Sequence, residues 1–243
     1  MKTHTLKPNT VPIYNFLSFI MYRTAKNIEP NNKKILDCGA GGSLPPLVVF
    51  YQNGFNCYGI DISAKSLETA QEFCWNHSVS INLRQGDMRN IPFDNNEFDY
   101  VYEHYSMCHL SKEDTKKAIS EMKRVLKSGG YAYLGVISRD TFPKFGKEVS
   151  PDEFAQQNDE YTTTHSYFTD EEADMLVSDW EIMQKEKKCL WRTDQINAMS
   201  KEDWNILHQE IHDGKNEVEW QKLYNSRQKI FQYSHIYYIL RKK

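Results

Sequence analysis

Lys33-Lys34-Ile35-Leu36-Asp37-Cys38-Gly39-Ala40-Gly41-Gly42-Ser43 decides the fold of this chain. Two basic residues give way to an apolar pair, then an acid, then glycines. Pro45 and Pro46 follow, leading the apolar run Leu47, Val48, Val49, Phe50, which closes on Asn53-Gly54. The order predicts a buried strand, a tight turn and a helix. A turn that brings its amides against a ligand needs positive φ and no Cβ in the way, which only glycine supplies without strain. The amides then face whatever sits at the helix N-terminus. Proline suits a first helical turn, where an N–H would have no partner, and Asn-Gly suits a C-terminal stop.

Two cofactor classes use such a turn. A dinucleotide fingerprint starting at Gly39 needs glycine at position 44, which is Leu44. A carboxylate before the first glycine also sits poorly beside a pyrophosphate, whereas a cofactor with a cationic end and no phosphate tolerates Asp37. The D-x-G-x-G-G pattern after an apolar strand resembles motif I of the class I S-adenosylmethionine-dependent methyltransferases, in particular the small-molecule, ubiquinone/menaquinone-methyltransferase-like type. Ser43 stands where that family often has a third glycine, and Gly42 already relieves the turn.

The resemblance implies an α/β, Rossmann-like fold: a seven-stranded, mostly parallel sheet with helices on both faces and an antiparallel last strand. To this the sequence adds a helical N-terminal segment and a helical insertion before the last strand. One domain is expected over residues 1–243, with an N-terminal cap (1–32), a cofactor-binding core (33–138) and a substrate-side half (139–243) carrying the insertion at about 191–232. The 243 residues suffice for such a domain and its core.

With 40% hydrophobic and 26% charged residues the chain reads as soluble and globular, and a net charge of -3 shows no nucleic-acid footprint. No run is long enough to span a bilayer, and the start lacks the apolar core of a secretory signal. The 5 cysteines contain no C-x-x-C pair, which suits neither a disulfide framework nor a zinc knuckle and points to a reducing, cytoplasmic compartment.

Along the chain, Ile13, Phe16, Leu17, Ile20 and Met21 recur at helical spacing after Pro12. In the family such a leading helix lies across the cofactor mouth, so Tyr14 either touches cofactor or substrate or packs at a helix surface. Phe55–Asp61 reads as a second strand. Asp61 follows the glycine turn by about 20 residues, the separation at which a carboxylate reaches a ribose hydroxyl. The G-I-D-I-S segment resembles motif II, with Asp61 on the ribose and Ile62 against adenine. Ser63 caps a helix carrying Leu67, Ala70, Cys74 and Trp75, and Ile81–Met88 is the third strand. Its Gly86-Asp87-Met88 end resembles the adenine-edge motif, with Asp87 accepting from the exocyclic amine and the Met88 amide serving a ring nitrogen; a plain turn is the other reading of Asp87.

The segment from Ile91-Pro92-Phe93-Asp94 through Phe98–Tyr102 resembles the approach to the fourth strand. Beyond it lie Glu103, His104, Tyr105, Ser106, Met107, Cys108, His109 and Leu110, at the strand end where open α/β sheets bind ligands. Glu103 stands where relatives bind the amino-acid part of the cofactor, usually through the backbone carbonyl. Asp37, with Gly39, Ala40 and Gly41, belongs at the methionine end. A helix capped by Ser111-x-x-Asp114 and ended by Ser128-Gly129-Gly130 precedes a fifth strand, Tyr131–Ser138. Arg124–Tyr131 resembles the family's post-motif segment, so the resemblance runs from Lys33 to Ser138.

Glu148–Gln184 carries eleven acids and no Lys or Arg. It reads either as a solvated acidic surface or as a flank that repels polyanions and admits a cationic or neutral acceptor. Thr169-x-x-Glu172 is a capping box, and the loop before it, with His165 and Tyr167, lines the substrate pocket in the family. Trp180–Lys188 and Ile236–Arg241 are the expected sixth and last strands. Between them Ser200-x-x-Asp203 opens one helix, and Trp220, Leu223, Tyr224, Arg227 and Ile230 mark a second, together a lid, a homodimer contact or simple packing.

His208 and His212 stand at i and i+4, but Gln209 occupies the place of the metalloprotease glutamate and no third ligand is evident, so no metal is expected. Methyl transfer from a sulfonium needs position more than a catalytic group. Where the acceptor carries a proton, a histidine serves as base. His104 and His109 are the candidates by location, with Tyr105, His165 and Tyr167 on the substrate. The expected activity is thus methylation of a small-molecule acceptor, without nucleic-acid or membrane partners. The alternatives are a non-catalytic protein that binds S-adenosylmethionine or a nucleoside, and a nucleic-acid or protein methyltransferase.

Overall fold

In the computed structural model, residues 11–23, 30–142, 144, 146–157, 162–191, 200–210, 218 and 232–243 are described. The strands are β1 (Lys34–Cys38), β2 (Asn56–Asp61), β3 (Asn82–Gln85), β4 (Phe98–Tyr102), β5 (Leu126–Ser138), β6 (Lys147–Ser150), β7 (Glu153–Gln157), β8 (Thr162–Phe168), β9 (Glu181–Trp191) and β10 (Gln232–Arg241). The helices are α1 (Val11–Ser18), α2 (Leu47–Gln52), α3 (Ala64–Asn76), α4 (Lys112–Val125), α5 (Asp170–Leu176) and α6 (Lys201–Glu210).

The central sheet has the order β3-β2-β1-β4-β5-β10-β9. β3 to β5 pair in parallel, and β10 runs antiparallel to both β5 and β9. This is the expected seven-stranded sheet with an antiparallel last strand. Alternation along the strands supplies two apolar faces. Tyr100 and Tyr102 of β4, Tyr133 of β5 and Tyr237 of β10 pack with α1, α2 and α3 on one side. Val101, Leu134 and Tyr238 pack with α4 on the other, with Ala173 of α5 in the same cluster. The leading helix forms where expected, with Phe16 and Ile20 fully buried, and continues past Ser18 as a π-turn over Phe19–Arg23.

β6, β7 and β8 add an antiparallel flap where the sequence shows no strand periodicity. Pro151-Asp152 joins β6 to β7, and Asp152 takes a positive φ of 59°, the third position of a Pro-led turn. Its buried carboxylate holds Arg139 at 3.0 Å and Lys144 at 2.7 Å, tying the turn to the segment that leaves β5. Ile137 and Ser138 pair with Tyr167 and Phe168, so β5 forks: its length carries β10 and its tip carries the flap. Short polar strands are fixed by this tertiary pairing rather than by their own periodicity.

The helix starts are as read. Ser63 Oγ accepts from Ser66 N, and Ser111 Oγ accepts from Asp114 N, each at 3.1 Å. Thr169 and Glu172 form the reciprocal capping box of α5, at 3.1 and 2.9 Å. Replacing Thr169 with alanine is expected to cost about 1 kcal/mol of stability, visible as a lower urea midpoint at unchanged m-value; an unchanged midpoint would mean that the cap contributes nothing. Of the insertion, the second expected helix, through Trp220 to Ile230, lies outside the described residues, while Ser200 and Asp203 cap α6 as expected. Among the described residues no helix is long and apolar enough to cross a membrane.

Candidate active site

The parallel strands all point their C-terminal ends one way, and the turns that follow enclose a cleft of about 730 Å³. Gly39, Asp61, Ile62, Asp87, Met88, Tyr105 and His109 line it, joined by Ile60, Ser63, Ser66, Gly86, Arg89, Ser106, Leu110 and Thr163.

The glycine turn is built by close approach. Gly39 N and Ala40 N donate to Ile60 O at 2.8 and 2.9 Å, folding the turn over the end of β2. Gly41 N donates to Asp61 Oδ2 at 3.0 Å, and Ser63 N donates to Oδ1 at 2.9 Å. A Cβ on Gly41 would lie 2.5 Å from both Asp61 Oδ2 and Ser66 Cβ, so this glycine leaves room for the carboxylate. Asp61 is therefore held by both neighbouring turns, with lone pairs left for a ligand in the cleft.

Two further carboxylates sit deeper. Asp37, one residue before the end of β1, is only 2% exposed, and among the described residues its Oδ2 has no hydrogen-bond partner. Burial, and then the charges of Glu103 and Asp61, push its carboxyl well above the usual range. Glu103 is fully buried, and Oε1 accepts from Ser106 N at 2.9 Å and Met107 N at 2.7 Å. Burial outweighs these bonds and pushes its carboxyl up to about 7. The Glu103 side chain thereby organises the loop after β4.

Asp87 is clamped by Arg89, with Nε on Oδ1 at 3.0 Å and Nη2 on Oδ2 at 2.7 Å, and Arg89 N adds a backbone bond at 2.8 Å. These bonds hold the Asp87 carboxyl below its ordinary value. Arg89 Nη1 also holds Asp114 at 2.8 Å, fixing the turn after β3 to the start of α4.

The histidines separate. His109 faces the cleft, with the His165 ring from β8 at 4.9 Å behind it. Burial lowers the pKa of both. His104 does not line the cleft: it packs edge-on to Tyr105 at 4.2 Å and lies 3.4 Å from the Tyr237 hydroxyl. Burial, with His235 and Lys188 behind it, takes its pKa down to about 3. Tyr105 adopts a positive φ of 69°, uncommon for a bulky residue and a sign of local strain at this loop. Tyr167 is buried against Phe154, and Tyr14 is 45% exposed on α1; neither lines the cleft.

Residues 36–134 match the family model described as "Methyltransferase domain". The matched segment runs from β1 into β5 and holds the glycine turn with Asp37, Asp61 and Asp87. A demethylmenaquinone methyltransferase of Staphylococcus carnosus is 41% identical over 87 residues, 36% of this chain and 35% of that one. One from Staphylococcus epidermidis is 33% identical over 156 residues, 59% of this chain and 64% of that protein. The chain thus spans about a third of the first relative's length and just under two thirds of the second's. An S-adenosylmethionine-dependent methyltransferase of Methanosarcina mazei superposes with a TM-score of 0.61 at 17% identity, over 87% of this chain and 93% of that one, a likeness of fold.

The residues at this strand end fit S-adenosylmethionine. Buried Asp37, with its orphaned oxygen, suits a cationic end; Asp61, at the rim of the turn, suits vicinal hydroxyls. Ile62, 63% exposed beside the cleft, offers an apolar surface to a planar base. Four contributors escaped the sequence. Ser106 sits against Gly39, a pairing of two distant turns without a local signal. Thr163 comes from the flap, where the run Thr162-Thr163-Thr164, β-branched and polar, is the available hint of a strand. Ser66 lies one turn inside a helix whose cap was recognised. Arg89 follows Asp87 by two residues, a spacing that could have been read as a clamp. Of the His208/His212 pair, His212 lies outside the described residues.

Proposed function

We propose that this chain transfers a methyl group from S-adenosylmethionine to a small-molecule acceptor by in-line displacement. The observation that carries the reading is the convergence of Asp37, Asp61 and Asp87 at the same end of one sheet, behind a glycine turn that opens on a single cleft. When bound, the cofactor supplies an electrophilic methyl group on a sulfonium. Asp61 holds the ribose, Ile62, Asp87 and Met88 the adenine, and Asp37 with Gly39, Ala40, Gly41 and Glu103 the methionine end. Tyr14 is proposed to close over the cofactor from α1.

Tyr105 lines the acceptor side, supported from β8 by His165 and the buried Tyr167, and His109 takes the proton of an acceptor that carries one. Its lowered pKa keeps it neutral, hence able to accept, at physiological pH. His104, the other candidate base, is too weakly basic and too far inside for that part, and is assigned to holding Tyr105. The acidic flap and the net charge of -3 favour a neutral or cationic acceptor over nucleic acid. All 5 cysteines are free, in keeping with a reducing cytoplasm. A homodimer through the insertion is part of the same proposal, although most of that segment lies outside the described residues.

A turnover screen with S-adenosylmethionine across amines, thiols, phenols and carboxylic acids, read as S-adenosylhomocysteine formed, tests the activity. Turnover on at least one class is expected; cofactor binding without turnover across the panel would favour a sensor instead. On a proton-bearing acceptor, His109→Ala should lower kcat by about 100-fold or more at saturating methyl donor. In the unsubstituted enzyme kcat should fall as pH drops through a value below the ordinary histidine 6.5, because protonated His109 cannot accept. Full turnover by the variant would remove His109 from the mechanism.

A further inference from the structure

Asp37 and Glu103 close neighbouring strands: Asp37 pairs with Tyr102 in the β1/β4 register, and Glu103 is the next residue. Both are out of water. Among the described residues Oδ2 of Asp37 has no partner, and Glu103 accepts from the amides of Ser106, Met107 and Gly135. The ionisable groups around the pair are Cys38 on β1 itself, Cys57 and Asp61 on β2, Tyr102 on β4, Cys108 beyond it, Tyr133 on β5 and Tyr237 on β10. Each of these can carry only negative charge. Among the described residues no Lys, Arg or His bonds to either carboxylate. Two like charges buried together without a counter-ion do not both ionise, and such a pair titrates as a unit.

Resting on the cofactor reading above, we infer that Asp37 and Glu103 keep one proton between them in the cofactor-free protein and release it to solvent when S-adenosylmethionine binds. The cofactor brings two positive centres, an ammonium and a sulfonium, against one carboxylate. That net charge replaces the proton, and both acids ionise in the complex. The direction agrees with the separate titration tendencies: burial pushes Glu103 up to about 7 and Asp37 higher than its ordinary range. Cofactor uptake is therefore coupled to pH by two residues that need not touch the methyl acceptor.

Calorimetric titration of the full chain with S-adenosylmethionine at pH 6.5, in phosphate and in Tris, reads the proton directly. Release of about one proton is expected as a difference in apparent enthalpy between the buffers. Affinity should rise by about tenfold per pH unit below the pair's titration and level off above it. Asp37→Asn, which keeps the shape but cannot ionise, should bind at least about tenfold more weakly at pH 8 and lose the buffer dependence.

The same variant reads the proton without ligand. A carboxyl whose folded pKa is raised stabilises the fold at low pH and loses that contribution as pH rises through the folded pKa, so the acid-to-neutral decline in Tm should flatten in Asp37→Asn. His109 also borders the cleft, and its protonation would repel the cofactor with the same sign; His109→Ala must therefore retain the proton release. Equal enthalpies in both buffers, or loss of release in His109→Ala alone, would overturn the proposal while leaving the cofactor assignment intact. Failure to bind S-adenosylmethionine at any pH would overturn both.

Discussion

Gly39→Ala is expected to weaken cofactor binding by about 100-fold or more and to destabilise the fold by about 3 kcal/mol, at the severe end for a single methyl group. Gly39 holds a φ of +107°, which an L-residue with a side chain adopts only under strain. The added Cβ would also lie 1.8 Å from Ser106 Oγ and 2.3 Å from Ser106 Cβ. Rotating the serine removes the first contact but not the second.

Ser106 cannot retreat at low cost either. Its amide, with that of Met107, is bonded to the buried Glu103 carboxylate, so shifting the loop exposes or orphans that acid. The strain must then be taken by the turn itself, whose amides at 39 and 40 hold the end of β2. Thermal denaturation reads the stability loss, and calorimetry with S-adenosylmethionine reads the binding, expected to weaken by about 100-fold or more, as for any change of about 2.7 kcal/mol. Gly39→Ala combined with Ser106→Gly relieves the overlap but keeps the φ penalty, and should recover only part of each loss. A single variant that binds like the parent would show that the cofactor does not approach this turn.

Asp61→Ala should weaken S-adenosylmethionine binding by about 1–3 kcal/mol, the scale of a lost hydrogen bond to a charged group. The structure adds a second route to the same loss: Asp61 accepts from Gly41 N and from Ser63 N, so its removal loosens the glycine turn and the entry to α3 together. Asp61→Asn separates the two contributions. One amide oxygen can still accept from a turn amide, while its NH₂ meets the other N–H and cannot serve it. Asn should therefore fall between Asp and Ala in both stability and affinity. Unchanged calorimetric affinity in the alanine variant would count against a ribose role for Asp61.

Neighbouring residues set these magnitudes as much as the ligand does. Asp37 and Glu103 sit in the same sheet end with opposite supports: Glu103 is satisfied by amides, Asp37 is left with a bare oxygen. A site that is destabilising when empty and stabilised by its ligand is the usual compromise at functional positions.

Lys33 to Ser43, Phe55 to Asp61 and the caps at Ser63, Ser111 and Thr169 determined the alternating architecture, the parallel order of the core and the strand ends that carry Asp37, Asp61 and Asp87. Each of these signals is local: apolar runs specify burial, glycine permits one backbone conformation, and a hydroxyl before a helix satisfies an amide two or three residues on. Tertiary structure alone decided that Ser106 faces Gly39, that Arg89 clamps Asp87, that His109 rather than His104 reaches the cleft, and that a three-stranded flap grows from the tip of β5. Those outcomes depend on which segments from distant parts of the chain arrive at the same place. A carboxylate's ionisation or a short strand's pairing is fixed by those neighbours and leaves no periodic mark in the residues on either side.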